Sequence, residues 1–509
     1  MSTDTLSSLQ TLGLAGVATL AALAVKYNDR AIFDEHRPGI PYRKGYPLVG
    51  GLPILLKNRA NAHDFFTQNF EELDALTTTM SSIGIGRRIS TIDPANIEHI
   101  LKNNFENYAK GPKFQEAFND LFGHGIFNAN GSHWKYQRKA ASLIFNVKNF
   151  RDEFTRVFVK EMEYANKHIF DKAAEKREIV DFHDIMFRFT LDSFVLLGFG
   201  VEINGLKTDG KVPFAESFDA IQFNSSWRMI FPLWKVSETM KPILFPWQTS
   251  IKDHVKIVDG FAYEVIAKRK KELAEGQKFK DLLSRFMSTQ DENGQPLDDV
   301  ALRDVILNFI VAGRDTTAVA LSWTFYNLML HPRIEKKLVE EIQENITDEI
   351  LQDPAALYDA IKDMNYAHAV FYEVLRLHPS VPSNIKYALN DDVFPDGTHI
   401  RKGDYVAWSV YGLGRSTKVW GPDAKQFRPE RWFDANGEVR RESQGKWPAF
   451  HAGPRICLGQ QLATLESLVA IVTLLKQYKF TLVPDQEITY IPTVTIPMAN
   501  GMKVFVEHR

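Results

Sequence analysis

Chemistry in this 509-residue chain concentrates around its single cysteine. Cys457 lies in Phe450-His451-Ala452-Gly453-Pro454-Arg455-Ile456-Cys457-Leu458-Gly459, directly before a stretch whose apolar periodicity predicts a helix from about Gln460 to Tyr478. A helix N-terminus offers free N–H groups and the positive end of the dipole, and both favour a thiolate. Gly453 and Gly459 let backbone approach whatever the sulfur binds. Burial as an inert thiol is the commoner fate of a lone cysteine, but a Gly/Pro/Arg loop suits it poorly. Two uses of a thiolate remain, metal ligation and covalent catalysis, and for the second His451 is the neighbouring base.

Three further groups of residues stand out. Ala312-Gly313-Arg314-Asp315-Thr316-Thr317 interrupts an apolar helical stretch, where glycine costs about 1 kcal/mol relative to alanine. Glycine there makes room for a small ligand, and Asp315 with Thr316 can relay protons. The ordinary alternative is a pair of hydroxyls bonded back to the preceding turn beside a solvated aspartate. Glu373 and Arg376, spaced i, i+3, share a helix face, and Phe427-Arg428-Pro429-Glu430-Arg431-Trp432 adds a second arginine element. Trp134 and Arg138 are spaced i, i+4 after a loop from Gly123 to Ser132.

The elements that must position these groups are mostly helical. Leu297 to Leu330 runs without proline up to His331-Pro332 and is apolar on nearly all sides from Val305 to Val311, so it predicts a central helix about 50 Å long. Strand patterns are short: Thr77 to Gly84, Ile89 to Ile92, Thr398 to Val410 and Ile488 to Val506. Between the first two, Gly86-Arg87-Arg88-Ile89 reads as a basic turn. Lys268-Arg269-Lys270-Lys271 reads as a solvated helix end.

The 21 residues from Thr5 to Val25 carry no charge and as a helix would span roughly 30 Å, enough to cross a bilayer. Residues 1–27 therefore read as a transmembrane anchor. A signal peptide cleaved near Ala22-Leu23-Ala24 is the competing reading, but Asp4 replaces its usual basic start, and a buried or peripheral helix is the third, since Ser, Thr, Gln and Gly dilute the segment. Lys26 and Arg30 place the body on the cytosolic side. Residues 28–54 hold the run Pro38, Gly39, Pro41, Gly45, Pro47, Gly50, Gly51 and Pro53, a stiff linker, and 55–509 form one domain. With 61 Lys+Arg against 63 Asp+Glu, nothing draws the chain to nucleic acid, and one cysteine excludes intramolecular disulfides.

Phe450-x-x-Gly453-x-Arg455-x-Cys457-x-Gly459 resembles the haem-binding loop of cytochromes P450 at every signature position. The groups around Thr316, Glu373, Arg431 and Trp134 follow in that family's order. The resemblance implies a mainly α fold with small β sheets and haem b, its iron held by the Cys457 thiolate. Phe450, Gly453 and Gly459 would then shape the cofactor loop. Arg455, Trp134, Arg138 and Lys386 would meet the haem propionates, lysine keeping the charge of a usual arginine but losing its fork. Asp315 and Thr316 would deliver protons to bound dioxygen. Glu373, Arg376 and Arg431 would form a structural triad, with Trp432 where phenylalanine is usual.

Family position also implies substrate contacts at Phe127, Ala312, Val381, Asn384 and Val494. Electrons would come from NADPH–cytochrome P450 reductase, with cytochrome b5 as an optional second donor, at the endoplasmic reticulum membrane. Gly111-Pro112, Pro379-Ser380-Val381-Pro382-Ser383-Asn384, Asp396-Gly397-Thr398 and Gly414-Arg415-Ser416 are most similar to plant and fungal fatty-acid ω-hydroxylases and alkane-assimilating P450s. A hydrophobic fatty acid or alkane is the expected substrate, and Arg87 or Arg88 could hold a carboxylate. Hydroxylation of a sterol, terpenoid or aromatic compound is the alternative, followed by a haem isomerase or dehydratase and a non-enzymatic haem sensor.

Overall fold

The computed structural model describes residues 3–143, 150–291 and 293–509. Helices dominate, with sheets of five, three and two strands. The expected central helix is a 32-residue path, Asp299–Leu330. Asp298 caps its start by accepting from Ala301 N–H, and the path ends before His331-Pro332. It comprises Asp299–Ile310, a π turn over Val311–Asp315, and Thr316–Leu330.

A π turn loosens the i to i−4 ladder, and side chains of neighbouring elements take up carbonyls there. Thr190 Oγ1 donates to Arg314 O at 2.9 Å and Ser380 Oγ donates to Thr316 O at 2.7 Å. Gly313 permits the close approach of a neighbouring helix. A Cβ at Gly313 would lie 1.9 Å from Cδ2 of Phe194, which comes from the helix Phe182–Phe199. A phenyl ring thus fills the space that a side chain at position 313 would take.

Two buried polar residues on the first half of the central helix organise the loop that precedes Trp134. Asp304 Oδ2 accepts from His124 N–H at 2.7 Å. Asn308 accepts from Phe127 N–H at 3.1 Å and donates to Phe122 O at 2.9 Å. Satisfying loop backbone from a helix side chain is the standard remedy for buried polar groups. The loop thus enters the helix Gly131–Ser142 in a fixed position, with Trp134 buried.

The five-stranded sheet runs in spatial order Thr77–Ser82, Gly86–Thr91, Tyr405–Ser409, Ser383–Ala388, Tyr108–Ala109. Two expectations shift. The strand expected over Thr398 to Val410 breaks at Gly403, whose φ of 92° only glycine adopts freely, leaving His399–Ile400 and Tyr405–Ser409. Ile488 to Val506 keeps one regular strand, Lys503–His508. The strand Ser383–Ala388 escapes the pattern because prolines at 379 and 382 crowd its start.

The N-terminal helix Thr3–Lys26 contains a short apolar portion, Thr11–Lys26, with Leu12, Leu14, Val17, Leu20 and Val25 exposed. Met1 and Ser2 of the expected anchor lie outside the described residues. Among the described residues, the helix able by length and composition to cross a membrane is Asp299–Leu330, and it lies inside the protein. The Pro/Gly-rich segment packs along the first hairpin: Ala31 N–H donates to Ser81 Oγ at 2.9 Å, and Arg37 pairs with Asp404 at 2.6 Å. Arg269, expected on a solvated helix end, is instead buried, donating to Asp281 at 2.5 Å and to Phe199 O at 2.7 Å.

Candidate functional site

A cavity of about 870 Å³ lies between the central helix and the cysteine loop, bounded also by Trp134 and Arg138. The Cys457 side chain is bare toward this cavity while protein closes around it on every other side. Its backbone N–H donates to Phe450 O at 2.9 Å, and Ile456 N–H to Gly453 O at 3.0 Å, which fixes the loop. Gly459 caps the helix Gln460–Gln477. Burial pushes the thiol pKa up; the Gly459 N–H and the positive charge of Arg138 oppose it.

Gly453 does not face the cavity. At φ 60° it packs on Leu101, whose carbonyl oxygen would lie 2.1 Å from an added Cβ. The backbones cross tightly there, which requires glycine. His451 lines the cavity but is unsuited as a base. Burial lowers its pKa to about 3, its Nδ1 lies 3.0 Å from Ala452 O, and no hydrogen bond joins it to Cys457 among the described residues. Without that base covalent catalysis loses its support, and metal ligation remains.

Cations gather near the thiol. Arg455 donates to Ala129 O at 2.7 Å and stands 4.5 Å from the centre of the Trp134 ring; its Nε has no partner. Lys386 is 2 % exposed with its Nζ unpartnered, and Lys110 lies 4.1 Å from the Phe114 ring. Burial lowers Lys386 well below the usual lysine range, and the charges of Arg455 and Lys110 lower it further. Burial and Arg455 bring Lys110 to about 7, while burial and Arg138 bring Arg455 to about 10. Among the described residues no carboxylate pairs with Lys110, Arg138, Lys386 or Arg455. Four cations beside one thiol, two of them with an orphaned donor at Lys386 Nζ and Arg455 Nε, fit a flat metal-bearing group that carries two carboxylates.

The central helix brings Ala312, Gly313, Thr316 and Thr317 to the cavity, but not Asp315. Thr316 Oγ1 donates back to Ala312 O at 2.7 Å. Asp315 is no solvated residue: it is 1 % exposed, accepting from Arg314 at 2.9 Å and from Gln222 at 2.6 Å. Burial raises its carboxyl to about 6, against the pull of Arg314, and Asp219 adds to the rise. Arg314 also pairs at 2.6 Å with Asp219, whose side chain is half-exposed, so charged groups connect the surface to the residue before Thr316.

Glu373 is the most heavily bonded carboxylate near the site. It accepts from Arg376 Nε and Nη2 at 2.8 and 2.7 Å, Arg431 Nε at 2.9 Å, Arg428 N–H at 2.8 Å and Trp432 Nε1 at 3.0 Å. Glu373, Arg376 and Arg431 are thus joined as expected, and the unusual Trp432 adds an indole donor. The Trp432 ring lies 5.1 Å from Trp447, and Trp447 5.8 Å from Phe450, so packing carries this hub to the cysteine loop.

Phe127, Ala312, Val381, Asn384 and Val494 all line the cavity, as do Trp134, Arg138, Phe450, Arg455 and Gly459. Lys386 sits behind the wall formed by its neighbours Ser383, Asn384 and Ile385. Sequence reasoning missed Lys110 and Glu466. Glu466 lines the cavity with Oε1 unpartnered, and burial raises its carboxyl well above the usual range despite a hydrogen bond with Thr317. Its one signal was an acid inside the apolar run Leu465 to Leu475.

A family model described as Cytochrome P450 matches residues 40–500. The chain is similar to Cytochrome P450 704B1 of Arabidopsis thaliana, 37 % identical over 92 % of this chain and 94 % of the relative. Cytochrome P450 86B1 of the same plant is 37 % identical over 96 % of this chain and 89 % of its own length. Cytochrome P450 monooxygenase cyp1 of Mycosarcoma maydis is 35 % identical over 95 % and 77 %.

The Glu373 hub yields a stability test. Glu373→Ala leaves Arg376 and Arg431 buried without that carboxylate and is expected to cost about 3–5 kcal/mol, whereas Trp432→Phe removes one neutral donor at about 1 kcal/mol. Urea unfolding of the two variants checks this. Equal losses would contradict the central place of the carboxylate.

Proposed function

Because the chain belongs to the cytochrome P450 family, and is thereby a haem-thiolate monooxygenase, we propose that it hydroxylates a fatty acid or similar aliphatic chain at or near its far end. The observation that carries this reading is the large cavity, walled by Phe127, Ala312, Val381 and Val494, that opens on the sole cysteine. In balance, RH + O₂ + NADPH + H⁺ gives ROH + H₂O + NADP⁺. One C–H bond becomes C–OH, and two electrons reduce the second oxygen atom to water. Those electrons come from NADPH through a separate reductase.

Cys457 holds the haem iron as thiolate, and the bound haem supplies dioxygen activation and O–O cleavage, which the thiolate favours. The remaining work falls to the chain. Arg138, Arg455, Lys110 and Lys386 neutralise the two propionates. Apolar walls exclude water and orient the chain. Thr316, facing the cavity, holds and passes a proton. Asp315, shared by Arg314 and Gln222, is reached from the surface through Asp219 and Arg314, and its raised pKa lets it both take and give a proton near neutral pH.

The N-terminal helix anchors the protein to the endoplasmic reticulum membrane with its body in the cytosol. The helix Trp234–Leu244, which has no buried residue, lends a second apolar surface through Val236, Ile243 and Leu244.

Thr316→Ala is expected to bind substrate as wild type does while product formed per NADPH falls by about tenfold, the electrons going to peroxide or water. Coupling measured by NADPH consumption against product decides it, and unchanged coupling removes the relay. Deletion of the residues before Tyr27 is expected to release the protein from membranes with its haem absorption intact. Full-length protein that is soluble after gentle lysis refutes the anchor, and a mature N-terminus following Ala24 establishes a signal peptide.

A further inference from the structure

Successive residues of a strand point to opposite faces, and the strand Gly86–Thr91 separates its two arginines accordingly. Arg87 is fully engaged. Its guanidinium donates to Asp34 at 3.0 and 2.9 Å and to Glu35 O, so the segment after the N-terminal helix consumes its charge. Arg88 faces the other way, into the cavity that contains Cys457, with its guanidinium 4.8 Å from the centre of the Phe66 ring.

Among the described residues no hydrogen bond or ion pair reaches the Arg88 guanidinium, and its buried Nε has no partner. The groups around it offer no compensation. Asp64 spends its two oxygens on Tyr411 OH at 2.8 Å and Tyr490 OH at 2.7 Å. His63 is neutral, lowered to about 4 by burial and by the charges of Arg88 and Arg415 against the pull of Asp64. Glu487 lines the cavity without pairing to Arg88. A guanidinium carries five N–H donors in a plane that matches a carboxylate, and leaving them unmet in an apolar enclosure is costly.

Nor does Arg88 belong to the cofactor's set. Arg138 and Arg455 lie 5.8 and 4.5 Å from the centre of the Trp134 ring, and Lys386 lies 5.8 Å from Phe105, whose ring is 5.7 Å from that of Trp134, whereas Arg88 stands on the strand Gly86–Thr91 against Phe66. Cations therefore stand at two positions, about Trp134 and beside Phe66.

Resting on the reading of this cavity as a monooxygenase site for aliphatic chains, we infer that Arg88 binds the carboxylate of a fatty acid and holds that end away from Cys457, so that oxidation falls on the remote end of the chain. Phe66 packs beside the headgroup, and Phe127, Ala312 and Val494 receive the chain. Arg88 is then a specificity-determining residue: it selects free acids over esters and alkanes and sets the position of the hydroxyl.

The test uses the holoenzyme with lauric acid, methyl laurate and dodecane as probes, read by calorimetric binding and by mass-spectrometric location of the hydroxyl group. Wild type is expected to bind lauric acid at least about tenfold tighter than its methyl ester, since only the acid makes a charge-assisted pair. Arg88→Met, similar in length and uncharged, is expected to bring acid and ester within about twofold, with ester binding unchanged and hydroxylation spread inward along the chain. Arg88→Lys is expected to retain part of the preference for the acid. Equal binding of acid and ester by wild type overturns the inference without any variant, and so does a preference that survives in Arg88→Met. If none of the three probes is oxidised while the acid still binds preferentially, the aliphatic monooxygenase reading fails and the Arg88 contact stands.

Discussion

Positive charge without compensation around a single thiol is the constraint on which the rest of this structure depends. Burying an unpaired cation costs several kcal/mol, and among the described residues no carboxylate pairs with Lys110, Arg138 and Arg455, which line one cavity, or with Lys386 behind its wall. An anion in their midst stabilises the charged forms of Lys110 and Lys386, which burial otherwise disfavours. The propionates of haem supply two negative charges, and the thiolate of Cys457 faces the same space. Cofactor binding therefore contributes to the fold as well as to the chemistry, because the bound group cancels a penalty that the polypeptide alone leaves standing.

The fold is arranged to keep that constellation rigid. The buried central helix forms one wall, and its Asp304 and Asn308 fix the loop leading to Trp134 and Arg138. The Glu373 carboxylate gathers two arginines, an indole and a backbone N–H into one fully buried node, and edge-to-face contacts through Trp432 and Trp447 transmit its position to Phe450. The π turn at Val311–Asp315 tips Asp315 out of the cavity toward Arg314 and Gln222 while Thr316 stays facing in. Asp315 and Thr316, adjacent in sequence, thereby stand in different surroundings.

Much of this was legible because spacing encodes it. An unbroken apolar run specifies the central helix, and i, i+3 or i, i+4 pairs specify Glu373 with Arg376 and Trp134 with Arg138. The packing of the glycines was not legible: Gly453 and Gly313 meet Leu101 and Phe194, partners far away in sequence that no local pattern reveals. Arg87 and Arg88 look alike in sequence, and only the strand's alternation, with Asp34 on one side and the cavity on the other, tells them apart. Lys110 carried no signal at all, since its role comes from the cations that tertiary structure places around it.

Ligation of haem iron by the Cys457 thiolate is tested most directly by the reduced, carbon monoxide-bound absorption spectrum of the purified protein and of Cys457→Ser. Wild type is expected to show the strongly red-shifted Soret band of thiolate ligation, and the serine variant to lose that band while still folding around haem through its cationic contacts. A wild-type spectrum without the shifted band, or a variant that retains it, contradicts the assignment.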